Sequence, residues 1–213
     1  MTISTKISII TILITFTAAF LPVPVSASDN TFALSESNNT AFENEPNEDG
    51  RVGVPRELNL EDLVTLQIIQ QPAGNTNFVS SYQNYVTEFQ AAAYFGTIGL
   101  LAHNYLAGQY FLRLSPGQVI ELVYDNGEIE SFIVTQIQQY QAISPNSPTS
   151  DFIDTASGEY FTARQLFRKM YKNQTGHLVL QTCIAVGENP TWGRIFIIAE
   201  PVTQSPGNTR SHP

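Results

Sequence analysis

The chain has 213 residues, of which 42% are hydrophobic and 11% aromatic, a composition that supplies a sizeable core and excludes a disordered chain, a coiled coil or a collagen-like sequence. Its 10 Lys and Arg against 19 Asp and Glu give a formal net charge of −9, which argues against a nucleic-acid partner because such proteins present basic patches. The single cysteine excludes an internal disulfide framework and disfavours a cysteine-based zinc site.

The N-terminal segment, residues 1–27, predicts a secretory signal. A short start carrying one Lys is followed by a mainly apolar run over 7–20 and then by small residues that end at Ala27. This is the order of a signal peptide, and we expect cleavage after Ala27; a retained signal-anchor is the alternative. The apolar run is shorter than the roughly 20 residues that a membrane-spanning helix needs. Either way, the rest of the chain is expected to be extracytoplasmic, secreted or at the cell surface, and membrane-bound only if the anchor is retained.

An acidic segment follows the signal. Residues 29–62 hold nine of the 19 acidic residues and two arginines, and they are rich in Asn and Ser. Such a composition cannot bury enough apolar surface to fold, so we predict a disordered spacer over 28–62. Residues 203–213 have a similar, tail-like composition. The remaining residues, 63–202, predict a single domain of ordinary size.

Strand signals dominate this domain. Apolar and β-branched runs predict strands, in chain order, over 63–70, 94–102, 119–124, 129–137, 177–183 and 193–200. The pair Asn126-Gly127 predicts a hairpin turn between the third and fourth of these strands. Prolines predict a loop over 144–157.

One segment carries helical rather than strand spacing. Leu166, Phe167 and Met170 form an apolar stripe within 163–171, and Thr162 is a suitable N-cap. The domain is therefore predicted to be mostly β and mostly antiparallel, closed as a barrel or a sandwich, with one helix inserted before the penultimate strand.

Cys183 is the first candidate for chemistry. It ends the strand predicted over 177–183. A lone cysteine is often a small buried hydrophobic residue, and that structural role stays open. A free thiol in a secreted chain favours a functional role, because an idle exposed thiol is readily oxidised in that compartment.

Three histidines are available as its partner. His212 lies in the tail. His177 lies six residues before Cys183, which places the two about 20 Å apart along one strand and out of contact. His103 ends a predicted strand and precedes Asn104, so it lies at a strand-to-loop junction, where rigid strands present reactive groups. A catalytic role and a buried structural role for His103 both stay open.

Arg194 completes the candidate set. If the last two strands are antiparallel neighbours joined by the loop over 184–191, the end of one and the start of the other lie side by side. Cys183 and Arg194 then come within side-chain reach. A cation beside a thiol favours the thiolate, and a guanidinium can donate to an oxyanion. A surface arginine at a strand start is the alternative.

These segments together resemble a known family. The sequence Leu-Gln-Thr-Cys over 180–183 is similar to the L-x-T-C signature of sortases, the cell-surface cysteine transpeptidases. The sequence Gly-Leu-Leu-Ala-His-Asn over 99–104 resembles the family's histidine segment, and the stretch over 111–123 resembles the next segment of the family's sequence. Arg194, eleven residues after Cys183, matches the family's arginine. The resemblance covers most of the domain.

The resemblance implies a sortase-like barrel of about eight strands, antiparallel or mixed, with short helical turns beside the inserted helix. It also implies a reaction. The Cys183 thiolate would attack the scissile carbonyl of a sorting motif near the C-terminus of a secreted protein, and Arg194 would hold the oxyanion. His103 would protonate the leaving amine and later deprotonate the incoming one.

Three further residues are expected to contribute to substrate binding: Thr182, chiefly as a hydrogen-bonding support, Trp192 and Asn104. The helix over 163–171 and the insertion over 141–176 are expected to form part of the groove wall. No cofactor and no metal site are expected, because the three histidines lie far apart without neighbouring acids at ligand spacing, while dependence on calcium stays open.

The implied partners are a secreted or surface protein bearing a sorting motif and an amine acceptor on the cell envelope or a pilin, in a bacterium. The motif, the acceptor, the sortase class and the oligomeric state stay open. Two alternatives to transpeptidation also stay open. One is a surface cysteine hydrolase on the same three residues, and the other is an inactive extracellular β-barrel that binds peptides, with a structural Cys183.

Overall fold

The computed structural model describes residues 53–202; the predicted signal peptide, most of the predicted spacer and the C-terminal tail lie outside the described residues. This part of the chain contains ten strands: β1 Pro55–Leu60, β2 Val64–Gln70, β3 Tyr85–Glu88, β4 Ile98–Leu101, β5 Val119–Tyr124, β6 Ile129–Ala142, β7 Phe152–Asp154, β8 Tyr160–Phe161, β9 Leu178–Val186 and β10 Asn189–Pro201. It also contains three short helices: α1 Gln90–Ala93, α2 Gly108–Phe111 and α3 Ala163–Phe167, the last continuing as a π-helical turn over Arg168–Lys172. None of the described helices has the length and apolar character needed to cross a membrane.

Eight of the strands form a closed barrel. They follow one another around the ring in the order β10, β9, β4, β3, β2, β1, β5 and β6, and β6 pairs with β10 to close it. Neighbours are antiparallel except for β2 with β3 and β4 with β9, which are parallel. Strands β7 and β8 extend the sheet beyond β6. The predicted fold class, a mostly β, closed barrel of about eight strands with an inserted helix before the penultimate strand, is confirmed.

Strand alternation fills the barrel interior with apolar side chains. In β5, Ile120, Leu122 and Tyr124 are buried while the residues between them are partly exposed, as expected where alternate side chains point to opposite faces. Leu58 and Leu60 of β1 join the same buried cluster. The interior is therefore a packed apolar core.

A second buried cluster lies on the outer face of β9 and β10, beside α3 and the π-helical turn. It includes Tyr140, Ala142, Phe152, Leu166, Met170, Tyr171, Val179, Phe196 and Ile198. Because these two strands are buried on both faces, their sequences are nearly continuous apolar runs. The segment between β6 and β9, which contains β7 within the range predicted as a loop, therefore covers this face of the barrel.

The structure corrects several predicted boundaries: β6, β9 and β10 extend beyond the predicted ranges, and two corrections concern the N-terminal part of the domain. Strand β1 lies inside the range that was predicted to be a disordered spacer. It forms because its sequence alternates: Leu58 and Leu60 are fully buried, while the polar residues between and before them stay at least partly exposed. The acidic composition of that stretch conceals the alternation. The strand predicted over 94–102 begins only at Ile98. Residues 94–97 instead end α1 and form a turn, in which Gly96 has a φ of 72°.

The inserted helix begins where the sequence predicts. Thr162 Oγ1 accepts a hydrogen bond from the Gln165 backbone N–H at 3.3 Å, and Gln165 Oε1 accepts one from the Thr162 N–H at 2.8 Å, which is a capping box. Regular α-helical geometry ends at Phe167, earlier than predicted. In the π-helical turn after it, two consecutive side chains, Met170 and Tyr171, are both buried.

Candidate active site

Cys183 and Arg194 are direct neighbours on adjacent antiparallel strands. Their Cα atoms are register partners between β9 and β10, as the hairpin interpretation of the sequence predicts. Directly opposed residues point to the same face of a sheet, so the thiol and the guanidinium lie on one side. Val179 and Phe196, at even spacing from them, belong to the outer cluster. The Cys183 side chain therefore lies outside the barrel interior, on the face covered by the inserted segment.

A groove of about 420 Å³ runs along this face. Cys183, Arg194 and His103 all line it, so the structure brings the three predicted catalytic residues together. Apolar and aromatic side chains make up most of the remaining lining: Val79, Phe89, Leu101, Phe152, Leu166, Phe167, Tyr171 and Phe196. The inserted helix α3 forms part of the groove wall, as predicted.

Two opposing influences act on the Cys183 thiol. Burial raises the pKa of Cys183, because a thiolate is poorly solvated in the groove, and the neighbouring Arg194 guanidinium offsets part of that rise. The net direction is upward, so Cys183 keeps its proton at neutral pH. A base must therefore remove that proton when the sulfur reacts.

Arg194 is held by carbonyl groups of its own strand. Its Nη1 donates to the carbonyl oxygen of Gly193 at 2.9 Å and to that of Thr191 at 3.2 Å. These bonds use part of the five-donor guanidinium and fix it at the start of β10. The remaining N–H groups could donate to an anionic oxygen bound beside Cys183.

His103 lies in a tight loop that follows β4. Its carbonyl oxygen accepts hydrogen bonds from the N–H groups of Leu106 and Gly108, each at 3.0 Å. A Cβ on Gly108 would lie 2.7 Å from that oxygen, so a glycine is needed for the loop to close so tightly. The imidazole stacks on the ring of Tyr105, with ring centroids 5.3 Å apart. The loop thus anchors the backbone of His103, and Tyr105 supports its ring.

Thr182 points away from Cys183 and ties two strands together. Its Oγ1 donates to the carbonyl oxygen of Ala102 at 2.8 Å, and the residue is 2% exposed. This bond joins the residue before Cys183 to the residue before His103. Thr182 lines the groove, but its hydroxyl is committed to Ala102, which is the supporting arrangement that the sequence predicts.

The other two residues predicted to bind substrate do not line the groove. Asn104 Nδ2 donates to the carbonyl oxygen of Pro190 at 2.9 Å and so joins the His103 loop to the β9–β10 hairpin. Trp192 lies on β10 and is partly buried, outside the set of residues that line the groove. A role for either residue in substrate binding remains a prediction.

Sequence reasoning missed a polar pair in the groove, Gln181 and Tyr171. The Tyr171 hydroxyl donates to Gln181 Oε1 at 2.5 Å, and both residues line the groove. The available signal was the alternation of β9, since Gln181 lies two residues before Cys183 on the same face and interrupts an apolar run. Within residues 53–202, no three His, Cys, Asp or Glu side chains lie close enough together to hold a metal ion.

Comparisons with known proteins find a likeness in structure only. No protein-family model matches the chain, and no curated protein matches it. The similar solved structures include sortases, the family that the sequence motifs resemble. Sortase C from Clostridium perfringens SM101 is 13% identical, with 71% of this chain and 72% of that chain covered and a TM-score of 0.43. Sortase A from Listeria monocytogenes is 13% identical (70% and 87% covered, TM-score 0.43), and sortase C1 from Streptococcus agalactiae is 12% identical (74% and 75% covered, TM-score 0.44). The chemistry rests on the residues of this chain.

Proposed function

We propose that this protein is a sortase-like cysteine transpeptidase, which cuts a sorting motif in a secreted or surface protein and transfers the acyl group to an amine. The observation that carries the proposal is the grouping of Cys183, Arg194 and His103 along one groove, with the first two in register. A nucleophile, an oxyanion donor and an acid–base group are the parts that acyl transfer needs. The extracytoplasmic location predicted from the sequence gives access to such substrates.

Each of the three residues has a separate task in this reaction. His103 takes the Cys183 proton as the sulfur attacks the scissile carbonyl carbon, and N–H groups of Arg194 stabilise the oxyanion. The carbon–nitrogen bond breaks, the leaving amine takes the proton from His103, and a thioester joins the acyl group to Cys183. An incoming amine then attacks the thioester, its proton passes by way of His103 to the departing sulfur, and the thiol is restored.

The raised pKa of Cys183 supports separate roles for the base, His103, and the cation, Arg194. A partly buried thiol that keeps its proton is less readily oxidised, because the thiolate is the reactive form. Proton removal by His103 makes the nucleophile, and Arg194 then serves the oxyanion. The apolar lining of the groove adds to this arrangement, since exclusion of water strengthens each electrostatic contact and slows hydrolysis of a thioester.

The experiment that tests the proposal uses the full chain, a library of peptides with varied C-terminal motifs, and hydroxylamine as the amine. We expect a thioacyl adduct on Cys183 by intact mass and a hydroxamate product by peptide mass spectrometry. Cys183→Ala should abolish both, and His103→Gln should reduce turnover by about 100-fold or more. The matched control is His177→Gln, because His177 contacts Gln174 and lies outside the groove.

Two outcomes would replace the proposal with an alternative. Release of the free acid alone, at every amine concentration, would indicate a cysteine hydrolase on the same residues. Absence of an adduct on the folded protein, with ready alkylation of Cys183 after denaturation, would indicate a structural cysteine and an inactive binding module.

A further inference from the structure

Gln181 is the polar side chain on the groove face of β9 that lies nearest to Cys183 along the strand. The two residues are separated by one position, so their side chains share a face about 7 Å apart. Around Gln181 the groove is lined mainly by apolar rings, among them Phe89, Phe167 and Phe196. The Gln181 carboxamide is therefore a polar group on a mainly apolar part of the groove.

Tyr171 determines which way that carboxamide faces. The Tyr171 side chain is buried, and burial raises the pKa of its phenol well above the usual range, so the hydroxyl keeps its proton. It donates this proton to Gln181 Oε1 at 2.5 Å. This bond turns the amide oxygen towards Tyr171 and uses one of its two lone pairs. Within residues 53–202 the two N–H groups on Gln181 Nε2 have no acceptor, although they border the groove.

Packing and a backbone hydrogen bond fix the position of Tyr171. Its ring packs edge-on against Phe89, with centroids 5.2 Å apart, and its carbonyl accepts a hydrogen bond from Thr97 Oγ1 at 2.7 Å. A Cβ on Gly99 of β4 would lie 2.7 Å from the Ala92 Cβ and 3.1 Å from Tyr171 Cε1, so only glycine leaves room for this ring. The hydroxyl of Tyr171 therefore has little freedom to turn away from Gln181.

We infer that Gln181, oriented by Tyr171, is a specificity-determining residue that selects substrates with a neutral hydrogen-bond acceptor about two residues from the scissile carbonyl. An extended peptide advances about 3.3 Å per residue, so the 7 Å between Gln181 and Cys183 corresponds to two residues. The acceptor is a carbonyl or amide oxygen, because the surrounding rings make desolvation of a carboxylate costly. This inference rests on the proposed function, since it assumes that a peptide lies along the groove with its scissile bond at Cys183.

The test uses disulfide probes on Cys183, which need a thiol but no acyl transfer. Two probes of equal length compete for the full-length protein under equilibrium thiol exchange. In each case the Cys183 sulfur displaces the probe's small thiol, and intact mass gives the ratio of the two adducts. One probe carries an N-methylamide whose carbonyl lies about 7 Å from the sulfur, and the other carries an alkene of the same shape. We expect the wild-type protein to favour the amide probe about fivefold.

Four variants locate the source of this preference. In Gln181→Leu the ratio should fall to about one, because both donors are gone. In Gln181→Glu the Tyr171 partner is retained but the donor becomes an acceptor, so the ratio should fall to one or below. In Tyr171→Phe the ring is kept and the orienting proton is lost, so the ratio should fall part of the way. Gln139→Leu, an exposed glutamine of β6 outside the groove, should leave the ratio unchanged.

The outcomes separate this inference from the proposed function. Equal uptake of the two probes by the wild-type protein, or the same ratio in wild type and both Gln181 variants, would overturn the inference and leave transpeptidation intact. A Gln181-dependent preference in a protein that forms no thioester would overturn transpeptidation and support the recognition role. Failure of both probes to react with the folded protein would overturn the inference too, since a groove closed to them cannot receive a peptide.

Discussion

Cys183 and Arg194 face each other as register partners on β9 and β10, so the guanidinium offsets part of the rise that burial causes in the pKa of the thiol. The pairing places the two groups on the covered outer face of the barrel. Because backbone hydrogen bonds of the ladder hold this register, the distance between cation and sulfur depends on the strands and not on a flexible loop. The pH dependence of Cys183 reactivity is therefore a direct test of the arrangement.

Replacement of Arg194 by glutamine should raise the pKa of Cys183. The neutral side chain removes the influence that favours the thiolate and leaves the burial that opposes it. Less thiolate is then present at neutral pH, so alkylation by iodoacetamide slows, and its midpoint moves to higher pH. The rate at the alkaline plateau should be no lower than that of the wild type, because there the thiol is ionised in both proteins and a thiolate of higher pKa is the stronger nucleophile.

Arg164→Gln is the matched control for this measurement, since Arg164 is an exposed arginine of α3 that does not line the groove. Its alkylation profile should match that of the wild type. A midpoint that stays in place in Arg194→Gln, or moves to lower pH, would contradict the assignment of Arg194 as the neighbouring cation.

Thr182→Val should destabilise the fold by about 1–3 kcal/mol, because it leaves the buried carbonyl of Ala102 without the donor that now satisfies it. Thr182→Ser keeps the hydroxyl and loses one methyl group, which costs about 1 kcal/mol. Chemical unfolding of both variants gives the comparison. If the valine variant is as stable as the serine variant, the hydrogen bond between β9 and the end of β4 contributes nothing.

The local sequence pattern located most of the barrel but not all of it. Strand β5 and the hairpin at Gly127, whose φ is 85°, match their predictions because alternation and turn chemistry are local signals. Strand β3 was missed because it has four residues and gains its partners from β2, in parallel, and from β4. Strand β1 was missed because its polar residues were counted with an acidic segment. The two misses differ in kind: β1 forms a local hairpin with β2, in which Leu60 pairs with Val64, whereas β3 pairs with β2 in parallel across a loop over 71–84.

The candidate site, like the barrel, was predictable only in part from the sequence. The juxtaposition of Cys183 and Arg194 followed from a hairpin between two recognisable strands. The link between Tyr171 and Gln181 did not, because it depends on a π-helical turn and on the room left by Gly99, and neither has a local sequence signal. A regular helix over 163–171 would place side chains differently from the observed one.

Thr162→Ala should lower the free energy of unfolding by about 1 kcal/mol, because it removes the side-chain acceptor that caps α3. Thr162→Ser retains that acceptor, and its stability should stay within a few tenths of a kcal/mol of the wild type. Denaturant titration followed by circular dichroism measures both. Equal losses in the two variants would mean that the threonine methyl group, not the cap, stabilises the start of the helix.

Gly193→Ala should destabilise the protein by about 1–3 kcal/mol, because no side chain can move aside to relieve the overlap it creates. A Cβ at this position would overlap the carbonyl oxygen of Tyr140 on β6 and lie 3.3 Å from its carbonyl carbon. The strands must therefore separate, and Arg194, the next residue, must shift with them.

Gly187→Asn in the same hairpin is the matched control, since Gly187 has a φ of 58°, open space around it, and a conformation that asparagine tolerates. Its stability should stay within about 1 kcal/mol of the wild type. Because strand separation displaces the guanidinium, Gly193→Ala should also slow Cys183 alkylation at neutral pH while Gly187→Asn leaves it unchanged. If the Gly193→Ala protein has wild-type stability and wild-type alkylation, β10 and β6 can move apart at this position without cost, and the prediction is wrong.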